Sequence, residues 1–212
     1  MNTPTPRCIL RLENLDVAYE GQPPLASGWC EVVSAGVTLL HGDTGSGKST
    51  LLRAMAGRLP VRGTLSLDGA RLADNAEAYR QKAFFFDPAS DEFDTMTVRD
   101  CNQSLRAGDA RFDQALWQRL VDGFSLEPHL DKRMYMLSTG SRRKVGLAAA
   151  LASGRALTLL DDPAGALDAG SVRCLWDTLA KLEDRADRAI VIASTERIDQ
   201  VRLVGSIELP LC

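Results

Sequence analysis

Hydrophobic positions along the chain change their spacing twice. Residues 9–19 (ILRLENLDVAY), 30–33 (CEVV) and 37–40 (VTLL) read as strands. GTLSLDGARL alternates around Asp68-Gly69, a pair suited to the left-handed backbone of a hairpin turn. These segments predict an antiparallel layer that precedes and flanks a glycine-rich stretch. From Lys48 the apolar residues Leu51, Leu52 and Met55 recur at helical spacing, and Gly57 is placed to end that helix. AFFF (83–86), ALTLL (156–160) and AIVIA (189–193) are short apolar runs flanked by charge, which suits a mostly parallel sheet covered on both faces. Between the first two, Phe112, Leu116, Leu120 with Val121, and Val145 onward through GLAAALA keep helical periodicity. The expected architecture is a single α/β domain over residues 1–212. Its core comprises 1–87 and 156–212, and 88–155 form an inserted helical subdomain. Val172, Leu175, Trp176, Leu179 and Leu182 make a helical stripe assigned to core packing. PASDEFD reads as an acidic loop, and EDRADR (183–188) as a solvated connection before the strand at 189.

Composition narrows the class of partner. With 212 residues, 45% of them hydrophobic, the chain can bury a sizeable core. A formal net charge of -3 supplies no basic field, so neither nucleic acid nor an anionic membrane is an expected partner. Cys8, Cys30, Cys101, Cys174 and Cys212 stand singly, which reads as buried thiols in a reducing cytoplasm rather than disulfides or zinc ligands. The start, MNTPTPRCILRLENL, lacks the apolar region of a signal peptide. No uninterrupted apolar stretch approaches the ~18 residues of a membrane span. Any membrane role is therefore expected to run through a partner.

The chemistry is concentrated in GDTGSGKS, Gly42 to Ser49, which fits G-x-x-x-x-G-K-[ST] directly after an apolar strand and directly before a helix. Glycines at Gly42, Gly45 and Gly47 let backbone N–H groups of Asp43, Thr44, Ser46 and their neighbours wrap phosphate oxygens. The helix N-terminus, running on through Thr50, adds its dipole; Lys48 reaches terminal phosphates, and Ser49 offers a hydroxyl to Mg²⁺. In ALTLLDDP an apolar strand ends in two carboxylates, which places Asp161 to orient Mg²⁺ through its water shell and Asp162 beside an attacking water.

LSTGSRRKVGLAAALASGRALTLLDDP, residues 137–163, resembles the ATP-binding cassette ATPase family. That family's pattern is LSGGQ, a basic helix rich in small residues, then an apolar strand ending in Asp-Glu-Pro. The alignment needs no gap and the resemblance covers nearly the whole chain, with GALD (165–168) similar to the family's D-loop. It implies a P-loop core that binds ATP and Mg²⁺, with Tyr19 where the family stacks an aromatic on adenine. It also implies that Ser138 and Gly140 touch the γ-phosphate held by the partner cassette of a homo- or heterodimer. Five positions depart from the family pattern. Thr139 replaces the first signature glycine, Asp162 the catalytic glutamate, Asp87 the Q-loop glutamine and Thr195 the switch histidine. Ser141 stands for the signature glutamine. Asp87 can still hold a metal-bound water, and Thr195 can donate one hydrogen bond but cannot become cationic. His41 and His129 read as a packed or solvated residue and a loop residue.

The implied function is an ATP-hydrolysing, energy-coupling subunit on the inner face of the cell membrane, held there by a separate integral-membrane permease. A nucleotide-binding regulatory or scaffold module, or the weak half of an asymmetric heterodimer, also accommodates the departures at Asp87, Thr139, Asp162 and Thr195.

Overall fold

A computed structural model describes residues 7–18, 24–87 and 90–211. The chain opens with β1 (Cys8–Val17), β2 (Ala26–Ser34), β3 (Gly36–His41), α1 (Lys48–Met55), β4 (Arg62–Leu67) and β5 (Ala70–Arg71). It continues through α2 (Ala76–Gln81), β6 (Ala83–Phe85), α3 (Val98–Leu105), α4 (Gln114–Gly123) and α5 (Thr139–Ala152). β7 (Leu157–Asp161), α6 (Ala169–Leu182), β8 (Ala189–Ser194) and β9 (Leu203–Glu208) complete it.

Two sheets result. β2-β1-β4-β5 is antiparallel, and Asp68 (φ 45°) and Gly69 (φ 83°) form the tight turn between β4 and β5. β6-β7-β8-β3-β9 is parallel at every pairing. Segment 37–40 therefore runs in the parallel sheet as β3, while 30–33 pairs antiparallel with β1. Gly57, at φ 66°, follows the end of α1 as expected.

Period-two alternation divides the interior. On β8, Ile190 and Ile192 face the cluster built by α3 to α6, while Ala189, Val191 and Ala193 face α1 and the antiparallel sheet. β6 does the same with Phe84 against Ala83 and Phe85. Both faces are thus buried, which is why these strands read as continuous apolar runs. Leu175, Leu179 and Leu182 of α6 are buried, with Val172 and Trp176 half-buried beside them.

Two expectations are corrected. The 183–188 connection is solvated except at its end: Arg188 is only 2% exposed. Its guanidinium donates to Thr158 Oγ1 and to the Ala150 and Leu151 carbonyls at the end of α5, acceptors that a helix C-terminus leaves open. The cysteines divide as well. Cys101 is buried, its thiol pushed up to about 12 by desolvation, and Cys174 is half-buried, but Cys8 and Cys30 are exposed on the antiparallel sheet. Cys212 lies outside the described residues.

Candidate active site

Parallel pairing brings four strand ends to one edge. In the order β6-β7-β8-β3, Phe85 pairs with Leu159, Asp161 with Ala193, and Ser194 with His41. Neighbouring strands lie about 4.8 Å apart, so residues just beyond these ends converge. They are Asp87 after β6, Asp161 and Asp162 at the end of β7, Thr195 after β8, and Gly42 after β3. A hydrogen bond from Asp162 N–H to the Ala193 carbonyl (2.9 Å) extends the β7–β8 pairing past the last strand residue.

The loop from Gly42 to Gly47 closes on itself, with the Ser46 N–H donating to the Asp43 carbonyl at 3.1 Å. Lys48 Nζ folds back across it onto the Gly42 and Asp43 carbonyls at 2.6 and 2.8 Å. Gly47 caps α1 at φ 97°, and a Cβ there would meet the Leu25 side chain at 2.5 Å, so the position requires glycine twice over. Among the described residues no side chain caps α1, whereas Asn75, Thr97, Asp113, Ser138 and Asp168 cap α2 to α6. The first turn of α1, at Lys48 and Ser49, therefore meets the loop without a side-chain cap from Gly47. Ser46 Oγ is buried without a hydrogen-bond partner. A ring of donors, one orphaned hydroxyl and an ammonium resting on carbonyls fit a polyphosphate.

The carboxylates differ in their surroundings. Asp161 is half-buried at the strand end. Asp87 is paired with Arg53 of α1, Nη2 to Oδ2 at 2.6 Å, a cation that nothing in the sequence pattern singled out. Asp162 has φ 44°, and its carboxylate stands 3.4 Å from Arg143 of α5. Among the described residues, no three His, Cys, Asp or Glu cluster as a metal cage. Ser49 and Asp161, with Asp87 within reach of the same edge, suit instead a Mg²⁺ held mainly by phosphates and water. Thr195 is exposed.

The signature-like segment lies at the start of α5. Ser138 caps the helix, its Oγ accepting from the Ser141 N–H at 3.2 Å, and Thr139 is the first helical residue. Gly140 has no room for a side chain, since a Cβ would lie 2.6 Å from the Ala166 carbonyl. Lys144 pairs with Asp168 at 2.5 Å, tying α5 to the start of α6. Tyr19 lies outside the described residues. His41 Nδ1 meets Glu208 Oε2 at 2.8 Å, and His129 ends a single helical turn over Glu127–His129. Among the described residues no helix is long and apolar enough to cross a membrane.

A family profile described as ABC transporter matches residues 30–165. The molybdenum import ATP-binding protein ModC 1 of Azotobacter vinelandii is 32% identical over 182 residues, covering 82% of this chain and 50% of that protein. The cytochrome c biogenesis ATP-binding export protein CcmA of Paramagnetospirillum magneticum (strain ATCC 700264 / AMB-1) is 33% identical over 208 residues, covering 94% and 92%. The chain thus spans about half the length of the ModC relative and nearly all of CcmA. A solved structure described as the ATP binding subunit of an ABC transporter superposes with a TM-score of 0.76 at 23% identity, over 88% of this chain and 79% of that one.

Proposed function

Since this chain belongs to the ABC transporter family of ATP-binding subunits, we propose that it binds and hydrolyses Mg·ATP and couples that cycle to a separate integral-membrane permease. The observation that carries the reading is the uncapped N-terminus of α1 behind a loop with Lys48 on its carbonyls and Ser46 Oγ unpartnered. When bound, Mg²⁺ would supply charge neutralisation at the phosphates, with Ser49, Asp161 and Asp87 as the residues nearest to hold it or its waters. Lys48 leaves the loop carbonyls for the polyphosphate, and the amides from Gly42 to Thr50 take the remaining oxygens. Asp162 orients water and accepts its proton, with the Thr195 hydroxyl as a neutral donor beside it. Ser138 and Gly140 complete the site of a second cassette across a two-fold axis, and Tyr19 stacks on the base. Residues 88–155 act as the helical subdomain on a core of 1–87 and 156–212.

Calorimetry and steady-state phosphate release with Lys48→Ala test this reading. Loss of Mg·ATP affinity and of turnover is expected, because the phosphates lose their fixed countercharge. Unchanged affinity refutes the binding site. A second reading, a nucleotide-controlled regulatory module with little turnover, is favoured by the Asp87–Arg53 pair, which engages a carboxylate that the hydrolytic reading places near Mg²⁺. Tight ATP binding by wild type with no phosphate release above Lys48→Ala selects it.

A further inference from the structure

Arg143 lies one turn into α5, and its side chain is 18% exposed. Its Nη1 donates to the carbonyls of Asp162 and of Gly165 (3.0 Å) and stands 3.4 Å from the Asp162 carboxylate. Among the described residues its Nε is buried with no hydrogen-bond partner, and the hydrogen bonds of its Nη1 go to the turn 162–165. That turn is unusual in two ways. Asp162 occupies the left-handed region at φ 44°, a conformation that a non-glycine residue keeps only where its surroundings hold it. A Cβ at Gly165 would lie 2.1 Å from Asp162 Oδ2 and 2.6 Å from Arg143 Nη1, so the carboxylate and guanidinium fill the space over that glycine. The same loop continues to Ala166 at φ 58°, whose carbonyl is the one pressed against Gly140.

We propose that Arg143 is a positioning residue for hydrolysis, fixing the 162–165 turn and the direction of the Asp162 carboxylate and linking both to the signature-like end of α5. The inference rests on the hydrolytic reading above. Asp162 is 62% exposed, and its carboxylate would otherwise sample several rotamers. Two carbonyl contacts and one carboxylate contact from a rigid planar cation select one of them. Lys48 and the loop amides lie on other elements, so nucleotide binding does not depend on this contact.

Single-turnover hydrolysis at saturating Mg·ATP, with ATP affinity measured in parallel, separates positioning from general support. Arg143→Met is expected to lower the rate on the order of 10²-fold, the consequence of misplacing a reacting group by ~1 Å, while ATP affinity stays at the wild-type value. Arg143→Lys should restore part of the rate, since it returns the charge on a more flexible stem. Millimolar guanidinium should raise the rate of Arg143→Ala and leave Lys48→Ala unaffected. An Arg143→Met rate equal to wild type overturns the proposal, and so does a loss shared equally by Met, Lys and Ala with no response to guanidinium. Wild-type turnover no greater than that of Lys48→Ala overturns the hydrolytic reading itself, and this inference with it.

Discussion

Replacing Arg188 by methionine sets two large opposing effects against each other. Desolvation pulls the pKa of the buried guanidinium below its ordinary value, to about 10. Burial of the charge is therefore a cost that its hydrogen bonds must offset. Against it stand four hydrogen bonds: two to Thr158 Oγ1 at 3.0 and 2.6 Å, one to the Leu151 carbonyl at 3.1 Å, and one to the Ala150 carbonyl. Hydrogen bonds to a charged group contribute about 1.5–3 kcal/mol each net of desolvation, and these fall on three acceptors, so about 3 kcal/mol or more is expected. Counting what the substitution leaves behind gives a similar figure. Ala150 O keeps a bond from the Ser153 N–H at 3.3 Å. The Leu151 carbonyl and Thr158 hydroxyl are left unsatisfied at about 1–3 kcal/mol each. Arg188→Met should therefore lose about 3 kcal/mol, or roughly 6–12 °C in Tm for a domain of this size. Urea unfolding at constant m-value measures it. Adding Thr158→Val to Arg188→Met should cost less than Thr158→Val alone, because the hydroxyl has already lost its partner. A change of less than about 1 kcal/mol, or a gain, would show that burial of the charge outweighs its bonds and refute the reasoning.

Asp162→Glu lengthens the stem by one C–C bond, about 1.5 Å, and should raise single-turnover phosphate release with little change in ATP affinity; Thr195→His added to it should exceed either single change. A lower rate for Asp162→Glu would mean that the left-handed backbone at 162 already delivers the shorter carboxylate. Asp168, held well below its ordinary 3.8 by Lys144 and then by the Ser171 N–H and hydroxyl, should stabilise the fold above pH 3.8 and lose that contribution as pH falls through its lower folded value. The deficit of Asp168→Asn in thermal unfolding should accordingly be full at neutral pH and shrink below pH 3.8; a deficit independent of pH would assign it to capping geometry alone.

Local chemistry made much of this protein legible before its fold was known. The glycine loop, the helix that begins at Lys48 and stops before Gly57, and the Asp68-Gly69 turn are each written within a few adjacent residues, since backbone conformation there depends on residue type. The runs 156–160 and 189–193 declared strands buried on both faces because every position but Thr158 is apolar. Which strands neighbour one another was not written locally. The order β6-β7-β8-β3 joins segments distant in sequence, and only that order carries Asp87, Asp162, Thr195 and Gly42 to one edge. Arginines were the least legible residues, because a long charged side chain looks alike in any local sequence, whether solvated or buried. Arg188 read as the end of a solvated run, and Arg143 as one member of a basic helix. Arg53 carried no signal at all. Their roles depend on acceptors supplied by other elements: the open carbonyls at the end of α5, the turn after β7, and Asp87 beyond β6. Sequence thus determined the pieces and the phosphate-binding chemistry, and tertiary contact alone decided which charges face which acceptors.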